Sequence, residues 1–283
     1  MVAHYQSERA VAGRAFEVAF FRGGVPSVGL LEACGSLPIR VSCNPSDLTR
    51  QDAERIVSAG CEIIEIEALS FDPYVLRSCR RRYTVGRVEG MIKALKAMGV
   101  SVGVHLSPGL PGGDEASAME SVSWLESQAE IDFVRVWPAL GFEGADLAEW
   151  AKDGRWVPWD LPNTVRVLER MVDRLEAANL PVIRIGLQPG QDIPVPAVAG
   201  PYHPNLRGEV ESRRFQARML SALGQAEIEE NPVVRVHPKD ISWAKGTSNI
   251  NARTLRTRLG LKDLRIEADP EVERGTVAVG AQG

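Results

Sequence analysis

Scarcity narrows the chemistry open to this chain. Cysteine and histidine occur only four times each in 283 residues. Cys34, Cys43, Cys61 and Cys79 stand 9, 18 and 18 positions apart, which suits neither a disulfide framework in a chain this long nor a metal site. His4, His105, His203 and His237 are wider apart still, with no His-x-x-x-His pair or paired-carboxylate spacing for zinc; no metal ligand is expected. No apolar run reaches bilayer length, and residues 1–15 lack the hydrophobic stretch of a signal peptide. The expectation is a cytoplasmic chain with no membrane partner. Positive charge is not in excess: the net formal charge is −4, so any binding of nucleic acid must rest on a local patch. Gly109-Leu110-Pro111-Gly112 has neither the lysine nor the hydroxyl of a phosphate-binding loop.

What is present is apolar content enough for a large core, 44% of the chain. Short β-branched runs predict strands at Glu17 to Phe21, Ile39 to Cys43, Glu62 to Leu69, Val100 to Leu106, Phe133 to Leu140 and Pro181 to Leu187. Helices are predicted at Ser27 to Cys34, Leu48 to Ala59, Tyr83 to Met98, Asp114 to Gln128 and Leu161 to Ala178, with Gly60 and Gly99 as stops. Strands alternating with helices imply right-handed βαβ units on a parallel sheet. About six strands fall short of the eight of a closed barrel. The expected fold is therefore α/β, a partial TIM-like parallel barrel at 16–224, with an N-terminal segment at 1–15 and a small C-terminal α/β extension at 225–283. The open sheet edge makes a homodimer an expectation as well.

Polar side chains concentrate after the strand at Pro181. Gln188, Asp192, Tyr202, His203, Asn205, Arg207, Glu209 and Glu211 crowd one loop and the following helix start, where an α/β fold usually places its site. His203, between Tyr202 and the nearby carboxylates, is the best single acid–base candidate; a structural role joining loop to helix stays equally open. His105, at a strand end, reads as a core histidine. Between Arg235 and Arg265 eight basic residues face two acidic ones, a patch that could meet RNA phosphates, although no stacking aromatics accompany it. Arg77, Arg80, Arg81 and Arg82 form a second basic cluster near the C-terminal edge of the sheet.

Two longer motifs carry a resemblance. Val182 to Pro189, VIRIGLQP, and Val198 to Arg213, VAGPYHPNLRGEVESR, resemble the segment closing the barrel in radical SAM proteins related to the Elongator catalytic subunit. The likeness extends upstream through EVAFFRGG at Glu17, IRVSCNP at Ile39, GLPGG at Gly109 and FVRVWPAL at Phe133, over roughly residues 16 to 275. The resemblance implies a partial barrel and a pocket of S-adenosylmethionine side or ligand contacts at Gly23, Gly24, Arg135, Arg184 and Gln188, with Tyr202, His203, Arg207 and Glu211 beside it. The family also implies a [4Fe-4S] cluster on a Cys-x3-Cys-x2-Cys loop. These 283 residues contain no such triplet. Other positions depart from the family pattern: Arg22 precedes the glycine pair, Ser42-Cys43-Asn44-Pro45 replaces a Ser-Thr-Arg-Pro run, Glu67 and Leu69 stand at a Gly-x-Gln-Ser position, and Arg81-Arg82-Tyr83-Thr84 lacks the family's histidine.

From these departures the expectation is a non-catalytic radical SAM-like scaffold that binds a protein partner or small ligand and uses no cofactor. The alternative is an active radical SAM enzyme with S-adenosylmethionine and a [4Fe-4S] cluster, acting on RNA or a small molecule.

Overall fold

The computed structural model describes residues 18–20, 24–128, 130–187, 196–225 and 231–280. Six strands form a parallel sheet: β1 (Val18–Phe20), β2 (Ile39–Cys43), β3 (Cys61–Leu69), β4 (Ser101–Leu106), β5 (Phe133–Val136) and, after a short β6 (Gly141–Phe142), β7 (Val182–Ile185). Their order is β1-β2-β3-β4-β5-β7, every neighbouring pair parallel. The connecting helices are α1 (Val28–Ala33), α2 (Arg50–Ser58), α3 (Pro73–Ser78), α4 (Val85–Ala97), α5 (Glu115–Glu126), α6 (Asp146–Lys152) and α7 (Leu161–Ala177). Strands in sequential order with helical crossovers give the partial TIM-like barrel expected.

Side chains alternate by strand period. Ile39, Val41, Cys43, Ile64, Ile66, Val102, Val104, Val134 and Val136 make one apolar face, fully buried as the helix layer requires. The opposite face is polar, yet Arg40, Ser42, Glu65, His105 and Arg135 are buried there too. In a partial barrel that polar face is the inner one.

Local signals set the element ends. The helix predicted from Tyr83 to Met98 is α4, capped by Thr84; before it comes the unexpected α3, which Asp72 caps with Pro73 at its first position. The strand predicted to Leu140 stops at Val136, because Pro138 cannot donate to a ladder; the chain turns into β6, which pairs with β8 (Ala197–Ala199). Gly200 (φ 100°) is required beside this two-stranded ladder, since a Cβ there would lie 2.6 Å from the Ala139 carbonyl oxygen.

A second compact unit carries α8 (Leu206–Gln225), β9 (Val233–Val236), α9 (Ile241–Lys245), α10 (Ile250–Leu259), β10 (Arg265–Ala268) and β11 (Ala278–Gly280). Its sheet runs β10-β9-β11, parallel on one side and antiparallel on the other. Phe215, Met219 and Leu223 of α8 pack with Val234, Val236 and Leu255 in one core. Asn251, 2% exposed, fastens α10 there: its Nδ2 donates to the backbone oxygens of Ser212 (2.9 Å) and Ala244 (3.0 Å).

On the inner face of the first unit, Gly103 has no room for a side chain. A Cβ would stand 2.2 Å from the Phe133 ring, and the Arg40 guanidinium lies 5.0 Å from that ring's centroid. Gly103→Ala is expected to displace Phe133 and lower stability by about 1–3 kcal/mol in urea denaturation, with partial recovery when Phe133→Leu is added. An unchanged midpoint would contradict this packing.

Candidate functional site

The inner face is organised by one carboxylate. Glu65 on β3, 1% exposed, lies between Arg40 on β2 and Arg135 on β5. Arg40 Nε donates to its Oε1, and Arg135 Nε approaches Oε2 at 2.8 Å, an ion-pair contact. Beside it Ser42 Oγ donates to Glu67 Oε1 at 2.9 Å. Tyr83 Oη donates to the backbone oxygens of Glu67 (3.1 Å) and Ala68 (3.0 Å), holding the end of β3 where Leu69 takes a φ of 61°.

The next strands add rings and a third arginine. His105 on β4 and Trp137 after β5 meet edge to face with centroids 4.5 Å apart. The guanidinium carbons of Arg135 and Arg184 each lie 5.7 Å from the Trp137 ring centroid. Burial, aided by the positive charge of Arg135, pushes the His105 pKa down to about 3, so at neutral pH the imidazole is uncharged. His105 Nε2 and Trp137 Nε1 are both buried without a hydrogen-bond partner among the described residues. Two such polar atoms close together are costly unless something outside the protein meets them.

The residues expected from sequence fall in separate places. Arg135 and Arg184 meet at Trp137 in the first unit. Gly24 has a φ of 81° with open space around it; Gly23 and Gln188, like Arg22, lie outside the described residues. Tyr202, His203, Arg207 and Glu211 belong to the second unit. There Glu211, 3% exposed, accepts from Arg214 Nη1 at 2.9 Å and more loosely from Arg207 Nη2 at 3.4 Å. His203 Nδ1 accepts from the Asn205 amide at 3.2 Å, and Tyr202 is 38% exposed. In the stretch from Arg235 to Arg265, Arg253, Arg256, Arg258 and Arg265 are exposed.

Sequence reading passed over Arg40, Glu65, His105 and Trp137 as site residues. A signal existed: Ile39-Arg40-Val41, Ile64-Glu65-Ile66, Val134-Arg135-Val136 and Ile183-Arg184-Ile185 each place a charge between β-branched residues, and period 2 puts these charges on one face of adjoining strands.

The cysteines offer a contrasting picture. Cys34, Cys43 and Cys61 are buried and Cys79 half-buried, all as free thiols. Burial pushes the pKa of Cys43 up to about 12 and those of Cys61 and Cys79 up to about 11, the wrong direction for a thiolate ligand. Among the described residues no group of three His, Cys, Asp or Glu is placed to hold a metal ion.

Comparison with known proteins places this architecture. A Radical SAM superfamily model matches residues 16–125, and a Radical_SAM C-terminal domain model matches residues 131–215, together well over half of the chain. The chain belongs to the radical SAM superfamily. Similar curated proteins include a tRNA uridine(34) acetyltransferase of Dehalococcoides mccartyi, 24% identical over 64% of this chain and 39% of that protein. Another is Elongator complex protein 3 of Drosophila melanogaster, 28% identical over 60% of this chain and 30% of that protein. This radical SAM protein thus spans little more than a third, or less, of those relatives. The solved structure of archaeal Methanocaldococcus infernus Elp3 with an N-terminal deletion shares the fold, with a TM-score of 0.61 and 19% identity over 76% of this chain and 58% of that one.

Family membership corrects one expectation. The reading without any cofactor is overturned by the superfamily match at residues 16–125, since this is a family of S-adenosylmethionine and [4Fe-4S] proteins. The described residues fit the two groups differently. The four scattered thiols, three buried and one half-buried, do not fit a cluster's ligand set. The inner face, with three arginines and two buried ring nitrogens lacking partners, does fit the donor set that a carboxylate-bearing ligand such as S-adenosylmethionine needs. No helix among the described residues is long and apolar enough to cross a membrane.

Two predictions follow from this geometry. Glu65→Gln removes a negative charge held by two buried guanidinium groups and is expected to cost about 3–5 kcal/mol in chemical denaturation; a loss near zero would show that Arg40 and Arg135 are balanced elsewhere. His105 stays neutral in the fold below its ordinary value of 6.5, whereas the unfolded chain takes up a proton. Stability is therefore fully present above pH 6.5 and falls by about 1.4 kcal/mol per pH unit from there towards pH 3. His105→Gln should flatten that part of the curve, and equal slopes would contradict the assignment.

Proposed function

We propose that this radical SAM protein acts as a ligand-holding protein whose inner barrel face binds a small carboxylate-bearing molecule, S-adenosylmethionine being the first candidate. The observation that carries the reading is the pair of buried, unpartnered nitrogens, His105 Nε2 and Trp137 Nε1, beside Arg135 and Arg184 on the same face. A carboxylate placed against Trp137 would accept from the indole N–H and from a guanidinium. The neutral His105 would offer a hydrogen bond without a charge of its own. Glu65, itself bound by Arg40, holds Arg135 on this face, so the arrangement stands ready before a ligand arrives. S-adenosylmethionine, when bound, would supply a sulfonium centre and an adenosyl group. Four free thiols suit a reducing compartment, and the cytoplasm is the proposed location.

A second reading, a working radical SAM enzyme, is favoured by the superfamily match itself. It requires cluster ligands other than the four buried cysteines. The two readings separate in one set of measurements. Calorimetric titration with S-adenosylmethionine is expected to show saturable binding that Arg184→Ala or Trp137→Phe weakens at least about tenfold, the equivalent of one lost charged hydrogen bond. Absence of binding to the folded protein would sink the ligand-holding reading. After anaerobic reconstitution, about four irons per chain with 5′-deoxyadenosine on reduction would replace it by the enzyme.

A further inference from the structure

The C-terminal rim of the sheet carries a charged surface that the inner-face site does not use. The segment 70–84, which follows β3, holds Arg77, Arg80, Arg81 and Arg82 against a single carboxylate, Asp72. Asp72 is occupied as the cap of α3, accepting from the Tyr74 amide at 2.7 Å. All four arginines are exposed, and among the described residues none of them meets a carboxylate. On the neighbouring α6 segment Lys152 pairs with Glu149 and Arg155 with Asp153, so in a chain of net charge −4 the positive charge concentrates on the α3 turn.

The spot is built onto a rigid floor. Arg80 takes a φ of 54°, and the Arg81 amide donates back to the Leu76 carbonyl at 2.9 Å, so the chain leaves α3 in a closed turn. The Arg80 guanidinium carbon lies 5.1 Å from the ring centroid of Trp150 on α6, and that of Arg155 lies 5.3 Å from the same ring. Beneath them Val75, Cys79, Trp150 and Trp156 belong to one apolar cluster, which joins the α3 turn and the α6 loop into one surface. Two large apolar side chains stand exposed on these segments, Tyr74 at 59% and Val157 at 80%.

We propose that this rim is a docking surface for an acidic polypeptide segment carrying apolar side chains. Arginine, tyrosine and tryptophan in one patch are the residue types that dominate protein interfaces, and an aliphatic residue as exposed as Val157 gains from an apolar partner. Nucleic acid fits less well. Single-stranded nucleic acid adds base stacking on open aromatic faces to its phosphate contacts, and the Trp150 ring already carries two guanidinium groups. A long polyanion would also run beyond the spot onto a surface of net negative charge, whereas a short acidic segment lies within a screening length of about 8 Å of the arginines.

The test uses the full chain and a fluorescein-labelled peptide of alternating glutamate and leucine, read by anisotropy. Saturable binding is expected, weakening with added salt, falling at least about tenfold in the Arg80→Ala/Arg81→Ala variant, and falling again in Val157→Ser. All three positions are exposed, and an unchanged thermal melt confirms that each variant folds. A peptide of alternating glutamate and serine should bind more weakly. The proposal is overturned by an absence of saturable binding, by variants that bind as the parent does, by equal binding of the serine peptide, or by an oligouridylate of matched charge that binds more tightly and loses affinity in the same arginine variant.

Discussion

The buried carboxylate of Glu65 is the constraint from which the inner face follows. Two guanidinium groups cannot be held out of water near each other unless a negative charge lies between them, and Glu65 supplies it from β3, next to the strand of Arg40 and one strand removed from that of Arg135. Position matters as much as charge: Arg40, Glu65 and Arg135 share the polar face because each is flanked in sequence by residues of the apolar one. The arrangement does not contribute much net stability, since desolvating three ions offsets most of their attraction. Its effect is to fix where the arginines are. With Arg135 held by Glu65, the ring of Trp137 and the neutral His105 acquire defined places on the inner face.

The same physics separates the two groups that family membership brings with it. A cluster needs thiolates, and the cysteines here sit among apolar neighbours that favour the neutral thiol. S-adenosylmethionine needs hydrogen-bond donors and a countercharge for its carboxylate, and these are what the inner face presents. One chain can therefore share the superfamily's barrel while its own cysteines lie in apolar packing.

Much of the fold was legible in the sequence. The runs at Ile39, Val100 and Val182 are short, β-branched and bounded by glycine or proline, and helices with a capping Thr or Asp leave little choice of register. The errors came where tertiary pairing decides. Phe133 to Leu140 looked like one strand although Pro138 ends it, and β6, β8 and β11 are too short to carry a pattern of their own. The site was less legible. Attention went to the polar loop after β7, because its side chains are neighbours in sequence, while Arg40, Glu65, His105 and Arg135 are neighbours only across strands. Arg135 and Arg184 were found through resemblance. The alternation that places them on one face was readable, but a lone charge within an apolar strand is ordinarily discounted as a surface residue.

The central claim is that the carboxylate of a ligand meets the two buried nitrogens of the inner face. The most direct measurement is the indole N–H resonance of Trp137 in nitrogen-15-labelled protein, assigned through Trp137→Phe, as S-adenosylmethionine is added. The account predicts a saturable downfield shift of that resonance, abolished in Arg184→Ala. A ligand that binds while the Trp137 resonance stays in place would contradict it.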